Sequence, residues 1–235
     1  DSRVSRGLGD VYKRQSVGYK ILMALSGLFL MVFLAQHLTI NLLSVISAEA
    51  FNEASHFMGT NPLVQFLLQP ILMFAVVFHF VMGFVLELKN RNARTTDYAY
   101  KNPSTSSSWM SRNMIISGIT VLAFLALHFI DFWIPEINTK YMVGDMSGLM
   151  ADGSFRYFHE LQHEFQSLPR VIAYVLAFGF LSLHLLHGFK SSFQSVGLTN
   201  GKKRVTLHKF GNVFAIAVPL GFVFIALFHF LTQSH

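Results

Sequence analysis

Residues 26–37, SGLFLMVFLAQH, and residues 117–128, SGITVLAFLALH, are two copies of one pattern. Each starts Ser-Gly, carries Phe-Leu-Ala just before its end, and closes on a histidine, His37 or His128. A second pattern also occurs twice: FHFVMGF around His79 and LHLLHGF around His184 share His-x-x-x-Gly-Phe. The order along the chain is first, second, first, second, which reads as an internal duplication of a two-helix unit with one histidine kept in every helix. A lone polar residue in an apolar run is costly in a bilayer, so four at matching positions point to paired ligands.

The surrounding composition is that of an integral membrane protein. Of 235 residues, 52% are hydrophobic and only 13% charged, with 25 Phe and a mean hydropathy of +0.46; soluble domains carry about 25% charged residues. Without cysteine there are no disulfides, thiolate metal sites, iron–sulfur ligation or c-type haem attachment. Five apolar stretches approach the roughly 20 residues needed to cross a bilayer, at about 17–43, 62–88, 112–134, 168–190 and 208–232. The expected fold is therefore all-α, a bundle of five transmembrane helices made of a repeated helix pair plus a fifth helix. Pro62, Pro135 and Pro169 fall at helix edges, and Pro219 falls inside the fifth helix, where it is expected to kink it. Residues 1–15 resemble a translated sequencing adapter in SRGLGDVYKRQ, so 16–235 is read as a single domain and 101–109, KNPSTSSSW, as a linker between repeats.

Basic residues set the expected orientation. Lys89, Arg91, Arg94, Lys101 and Arg112 flank the loop after the second helix, and Lys190, Lys202, Lys203, Arg204 and Lys209 the loop after the fourth. The opposite loops carry Glu49, Glu53, Glu136, Asp145, Asp152, Glu160 and Glu164 against Lys140, Arg156 and Arg170. The N-terminus is expected in the cytoplasm and the C-terminus outside, in a multi-pass protein of the cytoplasmic (inner) membrane. Positive-inside topology accounts for the net charge of +6 without nucleic acid. Trp109 and Trp133, near the ends of the third helix, suit the interfaces.

Helical rise then gives each histidine a depth. His37 and His128 lie roughly 30 and 24 Å from the cytoplasmic ends of their helices, but His79 and His184 only about 14 and 9 Å. They sort into an outer and an inner pair on the order of 15 Å apart. Two bis-histidine haems need that arrangement, whereas a zinc or di-metal cage gathers its ligands at one level, usually with carboxylates. No carboxylate is expected in mid-helix; Glu87 and Asp131 are placed at ends. Gly83 and Gly188 follow a histidine by four residues, on its face, where they make room for a flat macrocycle or simply pack helices. His187 is an alternative ligand to His184 or a propionate contact. His229 is expected at the outer interface without a partner, and His56, His159 and His163 in solvated loops.

With these residues in hand, FLAQHLTIN (33–41), AEAFNEASHFM (48–58), the SGI before His128, and LHLLHGF (183–189), the chain resembles the five-helix dihaem cytochrome b membrane anchor of the succinate:quinone oxidoreductases, the succinate dehydrogenase and fumarate reductase family. The resemblance runs from about Val17 to the C-terminus. It implies two haem b groups, the distal one on His37 and His128 and the proximal one on His79 and His184. It also implies a membrane quinone (menaquinone or ubiquinone), and a flavoprotein and an iron–sulfur subunit docked on the cytoplasmic face, with any oligomer formed by the whole complex. The dicarboxylate would bind elsewhere. Some dihaem members carry a glutamate two residues before the helix-four histidine, linked to proton transfer; here that residue is Ser182. Glu53 and His56 are candidates for proton exchange with quinone. Two other readings stay open: a dihaem cytochrome b of another quinone-linked dehydrogenase, and a haem-free membrane transporter with a histidine proton relay.

Overall fold

The computed structural model describes residues 2–92, 114–198 and 203–233. Trp109, the linker 101–109 and the basic residues Arg94, Lys101, Arg112 and Lys202 lie outside the described residues. Seven α-helices of eight residues or more organise the described residues: α1 (Ser2–Ile46), α2 (Ala48–Thr60), α3 (Gln69–Asn92), α4 (Met114–His128), α5 (Tyr157–Glu164), α6 (Leu168–Ser195) and α7 (Lys203–Gln233). Five segments are long and apolar enough to cross a membrane: Val17–Ile46, Val64–Lys89, Met114–Val143, Leu168–Ser195 and Arg204–Thr232. The chain is thus a multi-pass membrane protein, all-α as expected.

α1 and α6 are the structural centre. α1 packs on α3, α6 and α7, while α6 packs on α4, α1 and α7. The main apolar core joins Val171, Tyr174 and Phe178 of α6 with Val218, Phe222, Ile225 and Ala226 of α7, and with Phe51 of α2. Gly211 permits the tight α6–α7 approach, since a Cβ there would sit 2.2 Å from the Phe189 ring. The short helices α2 and α5 cover one end of the bundle, here termed the capped end. Ser47 caps α2 by accepting from the Ala50 amide at 3.2 Å.

The prolines correct part of the sequence reading. The third span does not stop at Pro135 but runs on to Val143 through two π-helical turns, Phe129–Trp133 and Asn138–Val143. The Ile134 amide, just before Pro135, bonds to the Phe129 carbonyl five residues back. The second span repeats the device: a π-turn, Val64–Leu68, lets the Gln69 amide reach the Val64 carbonyl just before Pro70. A wider turn absorbs the missing proline donor, so the helix continues instead of ending. Because the third span is longer than expected, Asp131 lies within it rather than at its end.

Pro219 lies inside α7 and leaves the Ala215 carbonyl, four residues back, without its helical donor. Ser182 of α6 supplies a replacement, donating to that carbonyl at 2.7 Å. A neighbouring hydroxyl is how membrane helices accommodate an internal proline. Ser182 therefore has a structural partner at the position where the resemblance led one to look for a carboxylate.

Candidate functional site

The helices bring the four repeat histidines together two by two. The rings of His37 on α1 and His128 on α4 have centroids 5.8 Å apart at 81°. Those of His79 on α3 and His184 on α6 are 6.2 Å apart at 69°. Two metal–imidazole bonds of about 2 Å each, plus the ring radii, span roughly 6 Å, so the spacing of either pair would admit one metal ion held by both imidazoles. His184, not His187, faces His79 across the bundle.

The spacing between levels follows from a contact within the repeat. Ser26 of α1 touches His79, and Ser117 of α4 touches His184. His37 and His128 each lie eleven residues farther along the same two helices, which is about 16 Å at 1.5 Å per residue. The inner level is thus built from α3 and α6 and supported by α1 and α4, and the outer level, nearer the capped end, is borne by α1 and α4 themselves.

The repeated motifs acquire reasons here. The phenylalanine of each Phe-Leu-Ala stacks on the histidine four residues on: Phe33 on His37 at 5.4 Å and 18°, Phe124 on His128 at 5.9 Å and 26°. The glycine of each Ser-Gly admits a histidine against the helix backbone. A Cβ at Gly27 would lie 3.3 Å from His79 Cε1, and one at Gly118 3.7 Å from His184 Cε1. Among the described residues a Cβ at Gly83 or Gly188, singled out for clearance in the sequence, would meet methionine methyls, Met23 at 3.7 Å for the first and Met31 and Met114 at 3.8 and 3.9 Å for the second. Pattern matching marked Ser26, Gly27, Ser117 and Gly118 as repeat markers without showing that they touch the other histidine pair.

The outer level has different surroundings. Asn41 donates to the His37 carbonyl at 2.8 Å and places its amide nitrogen 3.4 Å from His37 Nδ1. His128 Nδ1 is buried with no hydrogen-bond partner among the described residues. His128 is ringed by aromatics, Phe124, Phe132 and Tyr174. Just beyond it, Asp131 has a fully buried side chain, paired with Arg170 at 2.8 Å and accepting from the Tyr174 hydroxyl at 2.7 Å. Arg170 also binds Glu164 at 2.5 Å. The expectation of no carboxylate in mid-span is corrected: Asp131 is tolerated because it is paired.

A second charge network closes the capped end. Glu136 pairs with Lys140 at 2.5 Å and with Arg156, and Arg156 also pairs with Glu160 at 2.5 Å. Burial works against the charged form of Arg156, but the Glu160 and Glu136 carboxylates outweigh it and hold its pKa above the ordinary guanidinium value. Burial, then the Glu136 carboxylate, push the Tyr157 phenol up to about 12. It keeps its proton at working pH, 3.3 Å from His56 Nδ1. His56 also stacks on Phe155 at 4.3 Å, so it is tied into this end instead of being freely solvated. Glu53, on the same helix, is exposed, as are His159 and His163.

His229 differs most from expectation. It is 1% exposed and hydrogen-bonded through Nε2 to Ser44 Oγ at 2.9 Å, with the Phe158 ring against it. Helix α5, folded over this end, buries a position that the sequence places near an interface.

Among the described residues no three or more potential ligands gather in one place; the histidines come in twos. Donor chemistry fits a haem at each level: two imidazoles, with no carboxylate joining either pair into a larger ligand group among the described residues.

The chain is 31% identical over 97 residues to the succinate dehydrogenase cytochrome b558 subunit of Bacillus subtilis (strain 168). The match covers 41% of this chain and 45% of that protein, so it spans less than half the length of either. No protein-family model matches the chain, and no solved structure matches it.

Proposed function

We propose that this chain is the cytochrome b membrane-anchor subunit of a succinate:quinone oxidoreductase, carrying electrons between an iron–sulfur subunit and a membrane quinone. The observation that carries the reading is the pairing of four repeat-related histidines at two levels, with each pair drawn from alternate spans. The partial likeness to a succinate dehydrogenase cytochrome b subunit supports the same assignment.

In this reading His79 and His184 hold an inner haem b, and His37 and His128 an outer one. Bound haem would supply one-electron redox chemistry, with two histidines at each level to hold it. Phe33 and Phe124 orient the outer imidazoles, and Gly27 and Gly118 let the inner ones sit close to the backbone. Gly83 and Gly188 lie beside methionine side chains that can yield to a macrocycle, and His187 meets a propionate in this reading. The open end, carrying Lys89, Lys190, Arg204 and Lys209, faces the cytoplasm and docks the flavoprotein and iron–sulfur subunits. The capped end faces outward. There Glu53 and His56 exchange protons with quinone, His56 being oriented by Tyr157.

A reduced-minus-oxidised visible spectrum of the complex in membranes, with haem quantification, tests this. The expected result is two low-spin haems per chain, with His37→Ala and His128→Ala losing one and His79→Ala and His184→Ala the other. Wild-type membranes containing the chain but no haem absorption contradict the proposal and favour a histidine proton relay.

A further inference from the structure

We infer that Ser26 and Ser117, on the helices that carry the outer histidines, are positioning residues for the inner pair: each accepts a hydrogen bond from Nδ1–H of His79 or His184 and thereby turns Nε2 toward the metal. The inference rests on the dihaem reading above. Each serine hydroxyl has a single proton, and a carbonyl claims it. Ser26 donates to the Met23 carbonyl and Ser117 to the Met114 carbonyl, both at 2.9 Å. A carbonyl only accepts, so the hydroxyl proton is committed there. What remains toward the imidazole is an oxygen lone pair, 3.1 Å from His79 Nδ1 and 3.4 Å from His184 Nδ1. The proton between them must then belong to the histidine. Both rings become Nδ1–H tautomers, with the Nε2 lone pair on the opposite edge available for a metal.

Two further features favour a designed contact over chance packing. The same serine–carbonyl–histidine unit occurs in both repeats at the same offset, eleven residues before a histidine that it does not touch. The neighbouring glycine also brings each ring within reach, with Gly27 at 3.3 Å and Gly118 at 3.7 Å from the imidazole Cε1 of its partner, measured from the Cβ each lacks. Among the described residues the outer histidines have no such serine. Asn41 offers His37 Nδ1 a donor group, and His128 Nδ1 has no partner among the described residues.

An axial imidazole that donates its second N–H is a more basic ligand, which favours the ferric state. Removing the acceptor should raise the midpoint potential of the inner haem alone, although the altered helices are those that ligate the outer one. The test is a potentiometric titration of the whole complex in membranes, with low-temperature EPR of the ferric haems, on wild type, Ser26→Ala, Ser117→Ala and Ser26→Thr. Threonine keeps a hydroxyl able to bond a carbonyl three or four residues back. The expected result is full haem content, with one midpoint moved positive and its EPR signal altered. It is the same haem in both alanine variants, the one lost in His79→Ala, with the larger shift at Ser26, and threonine restores the wild-type value. Unchanged midpoints in both alanine variants, a shift in the haem lost in His37→Ala, or equal disturbance of both haems would overturn the inference. A wild type without haem would instead remove the dihaem reading itself, which the same titration registers before any variant is compared.

Discussion

The inner and outer histidine levels both rest on helices that carry a repeated sequence pattern, yet they are held in different ways. At the inner level each imidazole meets a hydroxyl from the adjacent helix and a glycine that admits it, once per repeat and nearly symmetrically. At the outer level the symmetry is confined to one helix at a time, in the stacked Phe33–His37 and Phe124–His128 pairs. Around those pairs the two repeats diverge. Asn41 serves His37, whereas His128 is surrounded by aromatics and abuts the buried Asp131–Arg170–Tyr174 cluster. The likeness between the two halves is kept where Ser26 and Ser117 meet the inner histidines and lost around the outer ones, where Asn41 of α1 lies by His37 and Tyr174 of α6 by His128.

The largest expected effect lies in the outer charge cluster. Arg170→Ala leaves the fully buried Asp131 carboxylate with only the Tyr174 hydroxyl, and breaking a buried pair costs about 3–5 kcal/mol. Because Arg170 is itself 31% exposed, the low end, about 3 kcal/mol, is expected in reversible denaturant unfolding in micelles. A loss below about 1 kcal/mol would equate this pair with a surface bridge and erase the electrostatic contrast between the levels.

The inner level should respond to volume instead. Gly27→Ala puts a methyl 3.3 Å from His79 Cε1 and from Ser192 Oγ, whereas Gly118→Ala finds His184 at 3.7 Å, an ordinary contact. Overpacking costs about 1–3 kcal/mol, whereas alanine is favoured over glycine inside a helix by about 0.5–1 kcal/mol, so Gly27→Ala is expected to be about 1 kcal/mol or more worse than Gly118→Ala. Equal costs would mean that the two halves of the inner level are packed alike.

The serines and prolines show where sequence reading succeeds and where it stops. Spacing alone sorts His37, His79, His128 and His184 by depth, because rise per residue is fixed and each histidine sits in an uninterrupted apolar run. Spacing cannot say that Ser26 reaches His79, since that depends on how α1 rotates against α3. Nor does it reveal that Pro135 is bypassed: a proline reads as a boundary unless a π-turn precedes it, and nothing in FIDFW (129–133) announces one. His229 looks interfacial because its burial comes from Ser44 near the end of α1 and from Phe158 of α5, a short helix with no apolar run to mark it.

A smaller effect is expected at Ser182. Ser182→Ala removes the donor to the Ala215 carbonyl freed by Pro219, and interhelical hydrogen bonds in membranes average roughly 0.6 kcal/mol. If Pro219→Ala is made as well, the serine should no longer matter. A full Ser182→Ala penalty in that background would refute the pairing.

The smallest effect belongs to the loop beyond the outer level. Asp152 is exposed and Asp145 partly so, and both are held below the usual carboxylate range by hydrogen bonds from the Ser147 and Ser154 side chains and amides. A lowered pKa stabilises the folded loop above the ordinary carboxylate value, and that support is lost as pH falls through the depressed one. Hydrogen exchange, corrected for intrinsic rate, should show residues 145–154 losing protection in acid while α3 and α6 keep theirs. Loss in the helices first would reverse the assignment.

The pairing of the four histidines is the central claim, and double variants test it most directly. Haem per chain is measured for His37→Ala/His128→Ala, His79→Ala/His184→Ala and His37→Ala/His79→Ala. The account predicts one haem remaining in each of the first two, with different α-band maxima, and none in the third. One haem surviving in His37→Ala/His79→Ala, or none in either same-level double variant, would contradict it.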